Sequence, residues 1–219
     1  MAELEVLPDP DAVARRGAGF VAAQARAAVA DHGRFSFAVS GGRTPWAMFA
    51  HLADEDMPWA QTAIWQVDER VGPVGDPDRN LTQLRLALPE QGSAEVHPMP
   101  VEDEDLDAAA ARYAESLPEY FDLIHLGLGP DGHTASLVPG DPVLEVADRD
   151  VALTGIYQGR RRMTLAYPVL NRALQVLWLV TGEDKVGALA RLVAGDTSIP
   201  AGRVTAKTQV IVADAATQG

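Results

Sequence analysis

The chain has 219 residues, 47% of them hydrophobic and 22% charged, with no Cys, and its 18 basic against 31 acidic residues give a formal charge of −13. That length suits one large domain or two small ones with a real core, and the apolar share rules out a disordered chain. The charge opposes general binding to nucleic acid or an anionic membrane surface, and without Cys there is no disulfide framework, thiol nucleophile, thiolate zinc site or iron–sulfur cluster. Met1-Ala2-Glu3-Leu4-Glu5 is acidic and lacks the basic and apolar regions of a signal peptide. No apolar run reaches the roughly 18 residues of a membrane span. The expectation is a soluble, cytoplasmic protein. Of the 18 cations, only Lys185 and Lys207 are Lys.

Asp9 and Asp11 flank Pro10 ahead of an Ala-rich stretch to Ala30. An Asp cap, a Pro in the first turn and apolar Val13, Phe20, Val21 and Ala28 predict an amphipathic helix that Gly33 ends. Residues 35–39 are a short apolar run, read as a buried strand, which stops at Ser40-Gly41-Gly42. Thr44 as N-cap and Pro45 at the next position open a helix through residue 53. A second strand, 64–67, ends at Asp68-Glu69-Arg70, and a Gly-, Pro- and Asp-rich loop runs to Arg79 before a helix over 81–88.

Residues 96–99 read as a short strand and 106–117 as a helix closed by Pro118. The run 121–128 (FDLIHLGL) has the pattern of the most buried strand, followed by the loop Gly129-Pro130-Asp131-Gly132-His133-Thr134. Residues 151–157 and 163–166 are expected to pair as strands, and Pro168 opens a short helix. Residues 175–180 (QVLWLV) form another buried strand, then comes a helix over 183–194 and a last strand over 209–213. Strands thus alternate with helices, and most strands are continuously apolar. That pattern predicts an α/β, doubly wound, mostly parallel sheet with helices on both faces, Rossmann-like, plus a small antiparallel hairpin. No linker forces a boundary, so 1–219 is read as a single domain.

Open α/β sheets bind ligands at the carboxyl ends of their strands. Four predicted strands end in unusual residues: Ser40-Gly41-Gly42-Arg43-Thr44, Asp68-Glu69-Arg70, the loop from Gly127 to His133, and Thr181-Gly182-Glu183-Asp184-Lys185. Their recurrence points to one composite site. At the first, two glycines and a helix N-terminus suit a phosphate cradle; the alternative is a tight turn with Thr44 merely capping. It is neither a Walker A motif nor a dinucleotide fingerprint. In the third, His133 has an unperturbed pKa of about 6.5, suited to a general base, and Asp131 can fix its tautomer; alternatively Asp131 caps a helix and His133 is a solvated neighbour.

Asp68 and Arg70 share a face in extended chain, unless Asp68-Glu69-Arg70 is only an exposed charged tip. In Gly159-Arg160-Arg161-Arg162-Met163-Thr164, Arg160 and Arg161 read as a solvated hairpin turn and Arg162 as pointing into the site. Lys185, in a first helical turn where the dipole disfavours it, is an anion ligand or a surface Lys. His125, inside the apolar strand, reads as a satisfied core residue. His32, His51 and His97 have no partner pattern, and the acidic run 102–107 reads as a solvated loop and helix start. No metal motif occurs.

Ser40-Gly41-Gly42-Arg43-Thr44-Pro45, Asp68-Glu69-Arg70, Gly127 to Leu137 with its Asp131-Gly132-His133-Thr134-Ala135-Ser136-Leu137, Arg162-Met163-Thr164-Leu165 and Gly182-Glu183-Asp184-Lys185 resemble 6-phosphogluconolactonase, a family that shares a superfamily with glucosamine-6-phosphate deaminase. The matches run in order from residue 34 to Ile199-Pro200-Ala201 and Val204. The resemblance implies hydrolysis of 6-phosphoglucono-δ-lactone to 6-phosphogluconate in the oxidative pentose phosphate route, with no metal or organic cofactor. It implies a small-molecule partner, no nucleic acid, no membrane, and a monomer or homodimer.

Carried over, the resemblance makes His133 the general base, with Asp131, Arg70 and Asp68 in the catalytic set. Ser40, Gly41, Gly42, Arg43, Thr44, Arg162 and Lys185 would hold the phosphate. Two positions depart from the family pattern. Gly72-Pro73 stands for the usual Val-Pro, and Arg79-Asn80 for the usual Ser-Asn, the second open to altering a substrate contact or adding a cation. The sister deaminase carries a Glu a few residues beyond the His and reads Asp-Glu-Tyr at the strand end. Here Ser136, Leu137 and Val138 follow, and position 70 is Arg. A non-catalytic sugar-phosphate sensor is a further alternative, but such sensors carry a DNA-binding unit for which there is no room before residue 34, and whose charge would differ.

Overall fold

The computed structural model describes residues 3–88 and 93–218. Its elements in chain order are β1 (Glu3–Leu7), α1 (Pro10–His32), β2 (Phe35–Val39), α2 (Arg43–Leu52), β3 (Thr62–Gln66), β4 (Asp68–Arg70), α3 (Asn80–Ala87) and β5 (Glu95–His97). Then follow α4 (Leu106–Glu115), β6 (Leu123–Leu126), β7 (Val151–Leu153), β8 (Arg162–Leu165), α5 (Tyr167–Asn171), β9 (Gln175–Val180), α6 (Val186–Val193) and β10 (Thr208–Asp214). No described helix is long and apolar enough to cross a membrane.

Seven strands form one sheet in the order β1-β10-β9-β6-β2-β3-β5, and every pairing in it is parallel. The doubly wound expectation holds because the strands are apolar on both faces. Along β9, Leu177 and Leu179 join the cluster under α1 and α2, while Val176, Trp178 and Val180 join the one under α4, α5 and α6. Alternation in a pleated strand sends neighbours to opposite faces, so a continuous apolar run needs cover on both. α1 starts as expected: Asp9 Oδ1 accepts the Ala12 N–H at 2.8 Å, and Pro10 occupies its first turn.

β7 and β8 pair antiparallel as anticipated, but β4 joins them as a third strand in the order β4-β8-β7. The chain changes sheets at Val67. Its N–H donates to the Val39 carbonyl at 3.0 Å in the large sheet, and its own carbonyl accepts the Leu165 N–H at 2.8 Å in the small one. Sequence patterning ran the preceding strand through Val67 because side-chain apolarity does not register which partner the backbone chooses. β1 was not anticipated: two Glu and partial exposure mask an edge strand that pairs only with β10. The predicted helix over 183–194 divides into a 3-10 turn, Glu183–Lys185, and α6. The strand predicted over 151–157 stops at Leu153, beyond which the Gly155 N–H turns aside to Asp141 Oδ2 at 2.9 Å.

Three histidines that showed no partner pattern each meet a carboxylate: His32 with Asp122 at 2.9 Å, His51 with Asp11 at 2.8 Å and His97 with Glu95 at 3.3 Å. His125 is the reverse case. It is buried in β6 as expected, but not satisfied: neither ring nitrogen has a hydrogen-bond partner among the described residues. Burial pushes its imidazole down from 6.5 to about 3, so it folds in as the neutral form.

The unfolded chain takes up this proton below about pH 6.5, while the folded chain refuses it until about pH 3. The contribution to stability is therefore complete above pH 6.5 and lost as pH falls through that window. His125→Leu is expected to make the loss of stability from pH 6.5 to 4 shallower than in the wild type, by up to about 1.4 kcal/mol per pH unit. Urea titrations at several pH values check this; parallel slopes for the two proteins would refute it.

Candidate active site

A cavity of about 210 Å³ opens at the carboxyl ends of β2, β3, β6 and β9. All four unusual strand ends reach it. Ser40, Gly41 and Gly42 line it from the first, Asp68 and Arg70 from the second, Gly127, Leu128, Gly129 and His133 from the third, and Lys185 from the fourth. Arg162, at the start of β8, completes it with Asn80, Ala135 and Gln158. A larger cleft of about 580 Å³ lies at the opposite, N-terminal ends of β2 and β3, and none of the expected site residues lines it.

At the β2–α2 junction the Ser40 N–H and hydroxyl both donate to the His125 carbonyl, at 3.3 and 3.2 Å, which fixes the turn to the neighbouring strand. Gly41 has no room for a side chain, because a Cβ there would overlap the Asn80 amide. Gly42, not Thr44, is the N-cap of α2, and no side chain caps the helix. The first-turn N–H groups therefore stay open to an anion. The Thr44 hydroxyl meets the Thr181 hydroxyl at 2.9 Å and ties this turn to the end of β9. Arg43 is exposed and does not line the cavity.

Alternation along β4 sends Asp68 and Arg70 to the cavity and Glu69 away from it into full burial. The Glu69 carboxylate accepts the backbone N–H of Arg70 at 2.7 Å, of Asn80 at 2.8 Å and of Leu81 at 2.8 Å, and the Gln66 amide at 2.9 Å. It thereby caps α3 from another strand. Asp68 Oδ2 accepts the Ser136 hydroxyl at 2.6 Å, Oδ1 accepts the Asn80 amide at 3.2 Å, and the Arg162 guanidinium stands 4.0 Å away.

His133 Nδ1 lies 2.6 Å from Asp131 Oδ1, which also accepts the His133 backbone N–H at 3.1 Å. A carboxylate partner assigns the proton to Nδ1 and leaves Nε2 as the basic nitrogen. Burial pushes the Asp131 carboxyl up, but the backbone and side-chain hydrogen bonds from His133 outweigh it, and the net direction is down. Asp131 itself does not line the cavity; it acts on the ring from outside. Gly129 is packed so closely under the imidazole that a Cβ would overlap it. The Tyr157 hydroxyl is 3.5 Å from Nδ1, with its ring edge-to-face on the imidazole at 5.4 Å.

Arg162 is 5% exposed. Burial pushes its guanidinium below the usual range, opposed by the neighbouring Asp68; it sits 4.9 Å from the Tyr157 ring centroid and donates to Gln158 Oε1 at 3.0 Å. Lys185 Nζ pairs with Asp184 at 2.8 Å.

A family model described as glucosamine-6-phosphate isomerases/6-phosphogluconolactonase matches residues 8–213. The chain belongs to this family. A 6-phosphogluconolactonase of Synechocystis sp. is 36% identical over 205 residues, which span 88% of this chain and 85% of the relative. One of Mycobacterium tuberculosis is 34% identical over 220 residues, 90% of this chain and 89% of the relative. The crystal structure of a 6-phosphogluconolactonase from Shewanella baltica aligns with a TM-score of 0.89 at 26% identity over 98% of each chain. A monomeric glucosamine-6-phosphate deaminase shares the fold, at TM-score 0.87 and 15% identity over 98% of each chain.

Both departures from the 6-phosphogluconolactonase pattern have a structural explanation. Arg79 adds no cation to the cavity. It is buried behind it, with Nε 3.5 Å from Glu69 and Nη1 donating to Glu102, which stays exposed as its acidic run implied. Gly72 makes room for Arg160, since a Cβ there would lie 2.8 Å from Arg160 Nη1. Arg160 does sit in the hairpin turn, but its guanidinium is ion-paired rather than free in solvent. It donates to Asp76 at 2.6 Å and Asp78 at 3.3 Å, and the first contact draws the Asp76 carboxyl down. Arg161 is exposed as expected, with Nε donating to the Thr154 carbonyl at 3.3 Å.

The sequence pattern assigned no site role to Asn80, Ser136, Tyr157 or Gln158, none of which carries a charge or is a motif glycine. It also gave Glu69 no task of its own. Glu69→Ala is expected to lower stability by about 3–5 kcal/mol, because it strands several buried N–H groups and the Arg79 charge. Urea denaturation measures this, and a change below about 1 kcal/mol would contradict the anchoring role.

Proposed function

We propose that the chain hydrolyses 6-phosphoglucono-1,5-lactone to 6-phosphogluconate, the second step of the oxidative pentose phosphate route. The observation that carries this reading is a histidine held by Asp131 through Nδ1, in the wall of a cavity that also presents Arg162 and Lys185. Lactone hydrolysis needs a proton acceptor for water and a donor for the ring oxygen, and one imidazole supplies both in turn. His133 Nε2 takes a proton from water as its oxygen attacks C1. The tetrahedral intermediate then collapses, the C1–O5 bond breaks, and the imidazolium returns the proton to the departing ring oxygen. Asp131 keeps Nδ1 protonated and stabilises the imidazolium between these steps.

Negative charge grows on the carbonyl oxygen during attack. Arg70 and backbone N–H groups of the β2–α2 turn are the donors suited to it, each worth about 3 kcal/mol of barrier when well placed. The phosphate lies against the open N–H groups of Gly41, Gly42 and α2, with Arg162 and Lys185 as its cations. Arg43 assists from outside the cavity wall, and Ser40 and Thr44 hold the turn in shape. Asp68 orients Arg162 and, through Asn80, the Gly41 turn. Lactonase is favoured over deaminase because Ser136 hydrogen-bonds to Asp68 where an acid would follow the histidine, and Arg occupies position 70.

His133→Ala and His133→Asn are expected to lower kcat by about 10²–10⁴ while the thermal transition stays near wild type. Hydrolysis of freshly generated lactone, corrected for its spontaneous hydrolysis, measures this beside a glucosamine-6-phosphate deamination assay; a variant as fast as the wild type rejects the base assignment. Arg162→Ala is expected to act mainly by raising KM for the phosphorylated lactone. A fall in kcat with KM unchanged would move Arg162 from phosphate binding to chemistry.

A further inference from the structure

The hairpin tip between β7 and β8 is built around a residue that the turn itself disfavours. The Tyr157 N–H donates to the Arg160 carbonyl at 2.9 Å and the Arg160 N–H to the Tyr157 carbonyl at 3.2 Å, which leaves Gln158 and Gly159 as the central pair of a tight turn. Both have left-handed backbone, φ 51° and 79°, the pattern of a two-residue hairpin turn whose favoured sequences are Asn-Gly and Asp-Gly. Gly159 suits its position. Gln158 does not, because L-residues other than Asn and Asp are disfavoured in the left-handed region. Turn chemistry alone therefore gives no reason for Gln.

The side chain gives one. Gln158 lines the cavity, and its Oε1 accepts from Arg162 Nη2 at 3.0 Å. Among the described residues its amide nitrogen has no protein partner, so two N–H donors remain beside the cation. The tip is also held in place. Arg160 crosses to Asp76 and Asp78 over the space left by Gly72, and Tyr157 packs between Arg162 and His133. The only other described non-glycine residue with positive φ, Ala135 at 51°, lines the same cavity. Strained backbone concentrated at a ligand cavity marks positions set by the ligand rather than by the fold.

We infer that Gln158 is a positioning and specificity-determining residue for the phosphate of the ligand. Its Oε1 fixes the Arg162 guanidinium, and its amide N–H donates to a phosphate oxygen that the guanidinium holds. An Asn in its place would satisfy the turn but be too short to reach. This assignment rests on the proposed reading of the cavity as a phosphorylated-lactone site.

Gln158→Asn is the test, because it improves the turn while withdrawing the amide. The expected result is a Tm at or above wild type, with KM for 6-phosphoglucono-1,5-lactone raised on the order of tenfold and kcat changed far less. The loss should be confined to the phosphorylated substrate when unphosphorylated glucono-1,5-lactone is assayed beside it. Gln158→Gly, which also suits the turn and has no side chain, should give the same rise in KM. An unchanged KM in both variants, or equal losses on the two lactones, overturns the assignment. Arg162→Ala run in parallel separates the levels. An unchanged KM there overturns the phosphate reading beneath it, whereas a raised KM there with wild-type KM in both Gln158 variants overturns Gln158 alone.

Discussion

The buried carboxylate of Glu69 is the interaction on which one whole side of the cavity depends. A carboxylate taken out of water is strongly unfavourable unless its lone pairs are filled. Here three backbone N–H groups and the Gln66 amide fill them, with Arg79 beside it. Because two of those N–H groups open α3 and one belongs to Arg70, a single charge fixes the helix start against β4. Asn80, the first residue of α3, then reaches both the Asp68 carbonyl, at 2.9 Å, and its carboxylate, and packs on Gly41. The placement of Asp68, Arg70 and the β2–α2 turn thus follows from satisfying a group that never meets the cavity.

The second constraint is the change of sheet at Val67. A strand that stayed in the parallel sheet through residue 70 would carry Asp68 and Arg70 along the sheet edge. By handing its carbonyl to Leu165 the chain bends β4 onto β8, directly opposite Arg162. Asp68 and Arg162 come within 4.0 Å, with Ser136 between them. A guanidinium 5% exposed is tolerated there because its counter-charge is supplied by the adjacent strand.

The overall charge of −13 opposes general binding to polyanions without opposing a small anion. The positive charge at the cavity is local: Arg70, Arg162 and Lys185 line it, beside the uncapped start of α2. Two of these cations are partly offset by a neighbour, Arg162 by Asp68 and Lys185 by Asp184.

The sequence by itself determined the alternation of helices and two-sided strands, hence the doubly wound sheet, because apolar periodicity and caps are local properties. It also singled out four strand ends, all of which line one cavity. Glycines, a His and cations clustered after apolar runs stand out without any knowledge of pairing. Tertiary structure alone decided what depends on contacts between distant segments: that β4 leaves the main sheet, that Gly42 rather than Thr44 caps α2, and that Arg160 is ion-paired. The same holds for Arg79, which is buried behind the site, and for Asn80, Ser136, Tyr157 and Gln158, which line or support it. Neutral polar side chains carry no signature in a linear pattern. Their role comes from the partner the fold brings to them, 12 positions away for Asn80, 24 for Tyr157 and 68 for Ser136, and for Gln158 from a turn that folds it back onto Arg162.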